Sequence, residues 1–224
     1  MRLVTVAHGT RSRTGNEVAR TLTARAGRLL GVESVCSYVE LSEPLFEDVV
    51  ASSPPSETTM VVPLLLSTGF HVRQDLPRMA RGAAGPVVLG RPLGPHHLLA
   101  EVQHARLIAA GAAPGARVVM VAAGSSDPLA TGDMTRAAEL LARQWGAPVE
   151  VATLSALGRR PAEVVRPGDA VSPYLLSPGF FADRARLESL DAGAVCVADV
   201  IGPDPLVADL VVRRARALGA VRSA

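Results

Sequence analysis

The chain has 224 residues, of which 48% are hydrophobic and 3% aromatic, so its cores must be built from alanine, valine and leucine. All 23 basic residues are arginine, they are interspersed with 21 acidic residues, and the formal net charge is +2. Nucleic-acid binding favours clustered basic surface and aromatic platforms, which this pattern lacks. We therefore expect no nucleic-acid partner.

The sequence also carries no membrane or disulfide signal. No apolar run approaches the ~20 residues of a membrane span, and the N-terminal residues lead into a strand pattern rather than a signal peptide. The two cysteines, Cys36 and Cys196, fall in predicted strands of different halves, and no CxxC occurs. Neither a disulfide framework nor a thiolate zinc site is indicated. We expect a cytoplasmic protein without a membrane partner.

Short apolar runs alternate with segments of helical periodicity along the first half. Strands are predicted at residues 3–7, 35–39, 59–66 and 86–89, and helices at 18–30, 44–50, 72–81 and 98–110. The breaker cluster Ser67-Thr68-Gly69 ends the third strand. Continuous apolar strands between helices predict a parallel sheet covered by helices on both faces.

The second half repeats the first. VTVAHGT at residues 4–10 recurs as VMVAAGS at 119–125, PLLLSTGFH at 63–71 as PYLLSPGFF at 173–181, and GPHHL at 94–98 as GPDPL at 202–206. Strands are accordingly predicted near 117–122, 149–153, 170–176 and 194–198, with a linker at 109–116. The sequence predicts two tandem flavodoxin-like α/β domains, residues 1–112 and 113–224, each a parallel four-stranded sheet, with a cleft between them.

The two halves differ where histidine could act. His8 aligns with Ala123, and His71 aligns with Phe181, while the surrounding glycines and apolar residues are kept. This asymmetry indicates a duplicated fold with one working site, in the first half.

The position of these histidines favours a metal site. His8 follows the first strand and His71 the third, and these strands are neighbours in a flavodoxin-like sheet, where ligands bind beyond the carboxyl ends. Glu40, whose counterpart we take to be Thr153, follows the second strand at the same edge. Two imidazoles and one carboxylate can hold a divalent ion and leave coordination positions open. The alternative is that each is structural or merely solvated.

The other three histidines suit structural roles. His96 and His97 open the predicted helix at 98–110, where we interpret them as capping and surface residues. His104 lies within that helix, and we expect it to be non-catalytic.

Three segments resemble a known family: VAHGTR at residues 6–11, YVELSEP at 38–44 and PLLLSTGFHVRQDLP at 63–77. They are similar to the class II tetrapyrrole chelatases, specifically the sirohydrochlorin cobaltochelatases and ferrochelatases, whose long members carry two such halves. The most specific element is S-x-G-x-H-x-x-x-D-[IL]-P. Thr10 replaces the usual serine after His-Gly and keeps the hydroxyl.

The resemblance implies a lyase that inserts Co²⁺, Fe²⁺ or Ni²⁺ into sirohydrochlorin or a related tetrapyrrole, in cobalamin or siroheme biosynthesis. His8 and His71 would bind or deliver the metal, and Glu40 would assist with ligation or proton removal. The metal is a substrate, and no organic cofactor is implied. The sequence leaves open which metal is used, and whether the protein is a monomer or a homodimer.

The chemistry is consistent with these roles. Metal insertion releases two pyrrole protons, which an imidazole or Glu40 can accept. The many carboxylates of sirohydrochlorin call for guanidinium groups, and the arginines near the two histidines are Arg11, Arg13, Arg73 and Arg78.

Two other functions fit parts of the pattern. A non-catalytic metal or tetrapyrrole carrier could use the same pocket. A histidine phosphatase also begins with a strand followed by His-Gly, but it usually has arginine before the histidine, where this chain has Ala7.

Overall fold

The computed structural model describes residues 1–69 and 71–220, and it describes the backbone alone for His71 and Ala220. Two parallel four-stranded sheets form the scaffold. The strands of the first are β1 (Arg2–Ala7), β2 (Ser34–Tyr38), β3 (Thr59–Pro63) and β4 (Val87–Leu89), and those of the second are β5 (Val118–Ala122), β6 (Val149–Thr153), β7 (Ala170–Tyr174) and β8 (Cys196–Val197). The orders β2-β1-β3-β4 and β6-β5-β7-β8 confirm the predicted fold class.

Helices connect the strands. They are α1 (Arg13–Leu30), α2 (Phe46–Ala51), α3 (Leu76–Ala80), α4 (His97–Ala109), α5 (Pro128–Trp145), α6 (Pro161–Val164), α7 (Phe180–Asp191) and α8 (Pro205–Ala220). A π-helical turn, His71–Asp75, directly precedes α3. No helix in the described part of the chain has both the length and the apolar composition that a membrane crossing requires.

The sheets belong to two compact units. The first unit combines Met1–Leu93 with the segment that begins at Pro203, and the second is Gly94–Gly202. Accordingly, α8 packs on α1 and β3, while α4 packs on α5 and β7. Each half of the sequence therefore supplies its last helix to the unit that contains the sheet of the other half. The sequence repeat, 1–112 and 113–224, and these compact units are two different divisions of the chain.

The first sheet is buried on both faces. All six residues of β1 are buried, as expected of a central parallel strand with helices on either side. On one face α2 and α3 cover the sheet, and the apolar cluster that joins them comprises Val4, Val6, Val39, Phe46, Val49, Val50, Val61 and Leu76. This core fixes the position of β1, and hence of the loop that follows it.

Helix α1 begins five residues before the predicted start at residue 18. Ser12 is its N-cap, and the Ser12 hydroxyl accepts a hydrogen bond from the Gly15 amide at 3.3 Å. The first turn is largely polar, so hydrophobic periodicity alone did not reveal it. The helix ends where predicted, because Gly31 adopts a left-handed conformation with φ +67°.

The helix predicted at 72–81 is divided into the π-helical turn and α3. Pro77 has no amide hydrogen, and in a continuous α-helix its ring would clash with the carbonyl of Arg73, four residues earlier. A new helix therefore starts at Leu76 with proline in its first turn, where no intrahelical amide is needed.

Strand β3 is shorter than the apolar run that predicted it. Leu64 still donates to the Val6 carbonyl at 2.8 Å, whereas the Leu65 carbonyl accepts from Leu93 at 2.9 Å. The chain thus leaves the ladder while it is still buried, and the hydrophobic pattern overshoots the strand end at residue 63.

An arginine stands at the start of the first strand of each sheet, and the two arginines have different partners: Arg2 is buried, whereas Arg117, just before β5, is about one quarter exposed. Arg2 donates to the hydroxyls of Thr59 and Ser53 and to the carbonyl of Val49. Arg117 instead forms ion pairs with Asp169, which is 4% exposed, and with Glu150 at 2.6 Å. The second unit therefore uses a partly buried charge pair, together with the Val164 carbonyl at 3.1 Å, where the first uses neutral acceptors alone.

We predict that Arg117→Met destabilises the protein more than Arg2→Met does. Removing Arg117 leaves the buried Asp169 carboxylate without its cation but with the Arg166 amide as a donor at 2.7 Å, so the cost should be about 3 kcal/mol, the lower end for a buried pair. The hydroxyls around Arg2 keep one another as partners, so that change should cost about 1–2 kcal/mol. Urea unfolding at pH 7 measures the free energy of unfolding of both variants. Equal losses of stability would contradict the different roles of the two arginines.

The stability of Arg117→Met should also depend on pH differently from that of the wild type. The hydrogen bond from Arg117 lowers the pKa of Glu150 in the folded protein. The stabilisation that Glu150 gives to the folded state is therefore complete above the pKa of about 4.3 that it has in the unfolded chain, and it is lost as the pH falls through the lowered pKa. The stability deficit of Arg117→Met should therefore shrink below about pH 4.3. The effect should be small, because Glu150 is half-exposed.

Candidate functional site

The candidate site lies at the carboxyl edge of the first sheet. Strands β1 and β2 are parallel, and their last residues, Ala7 and Tyr38, face each other in the ladder. His8 immediately follows β1, and Glu40 follows β2 by two residues. Because parallel neighbours end at the same edge, the fold brings the two side chains into the same region.

His8 and Glu40 are in contact. The His8 Nε2 atom lies 3.5 Å from a carboxylate oxygen of Glu40, and both side chains are about half exposed. The His8 Nδ1 atom lies 3.3 Å from the carbonyl oxygen of Gly9. When Nδ1 carries the proton and donates to this carbonyl, Nε2 keeps its lone pair for a metal ion. The arrangement thus presents one nitrogen and one oxygen donor to solvent.

Gly9 permits the close approach of the two loops. It has φ +97°, and a β-carbon at this position would lie 1.8 Å from the carbonyl oxygen of Glu40. The Glu40 amide also donates to the His8 carbonyl at 3.1 Å. A residue with a side chain would therefore push the Glu40 loop away from His8. The glycine after His8 is a geometric requirement of the site.

Asn16, a residue that the sequence reasoning missed, joins the two loops. Its amide nitrogen donates to the Thr10 carbonyl at 2.7 Å and to the Ser42 hydroxyl at 2.6 Å, and its amide oxygen accepts from the Thr10 amide at 3.2 Å. The side chain is buried. A polar residue on the buried face of α1 was the available signal, but the predicted helix began after it.

Tyr38 supports Asn16 from the last position of β2. Its hydroxyl donates to the Asn16 carbonyl at 3.3 Å, and the side chain is fully buried. Burial raises the pKa of the Tyr38 hydroxyl, so the group remains a proton donor across the physiological range. The loops that carry His8 and Glu40 are therefore held from a rigid strand and a rigid helix.

The side chain of His71, the second predicted ligand, lies outside the described residues. Its backbone begins the π-helical turn that follows β3, and β3 pairs with β1 on the side opposite β2. Within the described part of the chain, no three His, Cys, Asp or Glu side chains are close enough together to hold a metal ion. The structure thus brings two of the three predicted groups together, and the placement of the third stays a prediction.

The predicted arginines near the site are all exposed: Arg11, Arg13, Arg73 and Arg78. Arg78 lies 3.6 Å from the carboxylate of Asp75 within the same helical segment, so part of its charge is offset. Arg11 belongs to the loop that carries His8, and Arg13 begins α1.

The second unit keeps the backbone of the site without its donors. Gly124 has φ +93°, and a β-carbon there would lie 2.1 Å from the Ser155 carbonyl oxygen, just as Gly9 approaches Glu40. The counterpart of Glu40 is therefore Ser155, and our assignment of Thr153 is wrong. Thr153 pairs with Ala122 as Tyr38 pairs with Ala7. The error arose because strand pairing, which sets the equivalence, is not visible in the sequence.

The remaining histidines take part in local packing. His96 caps α4 by accepting a hydrogen bond from the Leu98 amide at 3.2 Å, which confirms the predicted capping role. His97 is exposed and its ring lies 4.2 Å from that of His96. His104 contacts Trp145 edge to face, with 5.6 Å between ring centroids.

Comparison with known proteins identifies the family. The CbiX family model matches the chain twice, over residues 2–110 and 117–218. The chain therefore belongs to the CbiX family, with one family unit in each half. The resemblance to the sirohydrochlorin chelatases is confirmed at this level.

Individual relatives agree with this membership. A sirohydrochlorin ferrochelatase of Bacillus subtilis (strain 168) is 28% identical over 235 residues, covering 94% of this chain and 89% of that protein. The structure of SirB from Bacillus subtilis with Fe³⁺ is similar over 99% of this chain and 96% of that one, with a TM-score of 0.85 and 26% identity. The structure of CbiX, the terminal enzyme for biosynthesis of siroheme in denitrifying bacteria, shares the fold with a TM-score of 0.73 and 19% identity, covering 97% of this chain and 99% of that one.

We predict that Gly9→Ala and Gly124→Ala destabilise the protein to a similar degree but differ in their effect on metal binding. Each should cost about 2–4 kcal/mol, because the added carbon meets a backbone carbonyl in a left-handed conformation. Gly31→Ala, where φ is also positive but nothing lies within 4 Å, should cost about 1–2 kcal/mol. Urea unfolding compares the three variants.

Binding of Co²⁺ then separates Gly9→Ala from Gly124→Ala. Gly9→Ala should weaken it by displacing Glu40 from His8, whereas Gly124→Ala should leave it unchanged in the folded protein. Wild-type metal affinity in Gly9→Ala would show that the close approach does not position the donors.

Proposed function

We propose that the protein is a sirohydrochlorin chelatase, which inserts a divalent metal ion into the tetrapyrrole at the edge of the first sheet. The observation that carries the proposal is the pair of donor atoms 3.5 Å apart, His8 Nε2 and a Glu40 carboxylate oxygen, in a chain that belongs to the CbiX family. An imidazole nitrogen and a carboxylate oxygen suit Co²⁺, Fe²⁺ and Ni²⁺ alike.

His8 holds the incoming ion through Nε2 in this proposal. The carbonyl of Gly9 fixes the tautomer by accepting from Nδ1. His71 supplies a further nitrogen, and this role is supported by the backbone, since its turn follows the strand adjacent to β1. A partial protein shell of this kind leaves coordination positions for the macrocycle nitrogens.

Insertion of the ion releases two protons from the pyrrole nitrogens. The metal exchanges its bonds to water and protein for four bonds to the macrocycle, and each released proton needs a base. Glu40 lies beside His8, which would hold the ion, and is half exposed, so its carboxylate can accept a proton and pass it to water. His8 becomes available as a second base when the metal leaves it.

The carboxylates of the tetrapyrrole need cationic partners. Arg11, Arg13, Arg73 and Arg78 lie on the loop and helix starts that flank the two histidines in the sequence, and guanidinium groups bind carboxylates in pairs of hydrogen bonds. Tetrapyrrole binding and metal binding therefore use different residues. The choice of metal, the pathway, a cytoplasmic location, and whether the protein is a monomer or a homodimer stay predictions.

We predict that His8→Ala lowers the rate of metal insertion into sirohydrochlorin by roughly 10²-fold or more, as expected for loss of a positioned ligand. His71→Ala should do the same, and the double variant should lose little more, because groups that act as one unit fail together. Glu40→Gln keeps the shape but accepts no proton, so it should reduce the rate less and alter its pH dependence. An anaerobic absorbance assay with Co²⁺ and Fe²⁺ follows the reaction.

The matched control is His97→Ala, which removes an exposed histidine at the start of α4 and should leave the rate unchanged. Metal-free sirohydrochlorin should bind the His8→Ala variant as it binds the wild type. Near-normal turnover in the double histidine variant would overturn the proposed site. A wild-type protein that binds metal and tetrapyrrole without turning over would be a carrier.

A titration tests the single-site assignment. The second unit has Ala123, Ser155 and Phe181 at the positions that match His8, Glu40 and His71, so we predict one divalent ion per chain. Phe181→His should not create a second site, because one imidazole has no neighbouring donor there. Isothermal titration with Co²⁺ measures the stoichiometry, and two equal high-affinity sites would contradict the prediction.

A further inference from the structure

Leu41 is an unusual residue beside the site. Its backbone has φ +64°, a left-handed conformation, and its side chain is 52% exposed. It lies between Glu40, which contacts His8, and Ser42, whose hydroxyl donates to the Thr10 carbonyl at 2.9 Å. The side chain therefore starts one residue from the metal donors, on a loop held at both neighbours.

Neither the conformation nor the exposure of Leu41 helps the protein to fold. Glycine, asparagine and aspartate adopt the left-handed region more readily than leucine does. A leucine that remains half exposed also gives up much of the free energy that burial would provide. Residues with a strained backbone cluster at active sites and ligand clamps, and an exposed leucine beside two donor groups offers an apolar surface there.

The second unit contains a natural control for this residue. Leu41 and Ala156 are the two non-glycine residues with positive φ in the described part of the chain, and each follows the residue that the preceding glycine approaches, Glu40 or Ser155. Ala156 shows that this loop tolerates the conformation with a single methyl group. The fold thus requires the backbone shape in both units but not the leucine side chain.

At this loop position the large apolar side chain occurs in the half that has the candidate donors, whereas the exposed leucine of the matching loop in the second unit, Leu157, lies one residue later. Where His8 and Glu40 are replaced by Ala123 and Ser155, Leu41 is replaced by alanine as well. A residue that served only the loop would have no reason to differ between the two halves in parallel with the donors. The change from leucine to alanine, in parallel with the loss of the donors, therefore suggests that Leu41 contacts the same ligand as His8 and Glu40.

We propose that Leu41 contacts an apolar face of the tetrapyrrole and holds it over the His8–Glu40 pair, an inference that rests on the proposed chelatase function. A tetrapyrrole carries its carboxylates at the periphery, while the two faces of the ring are apolar. A metal ion enters through a face, so the residue beside the metal donors meets that face rather than the rim. An exposed isobutyl group at this point suits the face and offers nothing to the carboxylates.

Titration of metal-free sirohydrochlorin, followed by fluorescence, tests the contact directly. Leu41→Ala should raise the dissociation constant by about 5-fold, as expected for losing part of a leucine contact. Leu41→Asn, which suits the backbone conformation but is polar, should raise it at least as much. Leu41→Met keeps an apolar side chain and should stay within about 2-fold of the wild type.

Two controls separate a substrate contact from an effect on the loop. Co²⁺ affinity and the midpoint of thermal unfolding should be unchanged in Leu41→Ala, because Ala156 shows that alanine fits this loop. The matched variant Ala156→Leu adds the same side chain to the second unit and should not change tetrapyrrole affinity. Weaker Co²⁺ binding in Leu41→Ala would show that Leu41 positions Glu40 instead, which would overturn the proposal.

Failure of the proposed Leu41 contact can be distinguished from failure of the proposed chelatase function. If Leu41→Ala and Leu41→Asn bind sirohydrochlorin like the wild type while His8→Ala loses insertion, the contact is wrong and the chelatase function stands. If the wild type neither binds sirohydrochlorin nor inserts metal, the proposed function itself is wrong.

Discussion

The close approach of two backbones at the edge of the first sheet is the constraint on which the candidate site depends. Strand β1 is central and pairs in parallel with β2, so the loops that follow both strands emerge side by side. They can touch because Gly9 has no side chain where a β-carbon would meet the carbonyl of Glu40. Asn16 then fixes the separation by bonding to both loops. The spacing of His8 and Glu40 thus follows from backbone packing, and it does not require an attraction between the two side chains.

The second half keeps this packing without the candidate donor side chains. Gly124 approaches Ser155 as Gly9 approaches Glu40, and both following residues keep a left-handed backbone. Alanine, serine and alanine stand where the first unit has histidine, glutamate and leucine. A scaffold held by backbone geometry can lose its functional side chains without losing its fold, because those side chains contribute little to the core. Each half of the sequence also supplies its last helix, α4 or α8, to the sheet of the other half, and this adds a structural reason to retain the second half.

The two units are stabilised differently at the amino ends of their first strands, the ends opposite the candidate site. Arg2 and Arg117 occupy matching positions and each donates to a backbone carbonyl, yet the other partners of Arg2 are hydroxyls and those of Arg117 are carboxylates. A guanidinium group can satisfy several acceptors in one plane, so the same residue suits either environment. The buried Asp169 makes the second unit dependent on its arginine, since without it the carboxylate would keep the Arg166 amide as a donor but lose its counter-charge.

The sequence by itself determined the parallel α/β class and the duplication, and it located the candidate site in the first half, because periodicity, repeated glycines and the histidine asymmetry are local properties. It also predicted His8 and Glu40 as neighbours, since strand order follows from the fold class. Tertiary structure decided what depends on pairing between distant segments. It showed that Ser155 rather than Thr153 matches Glu40, that Asn16 joins the loops, and that the last helix of each half packs on the sheet of the other half. Leu41 belongs to this second group, because an exposed left-handed leucine looks like any other apolar residue until the backbone is known.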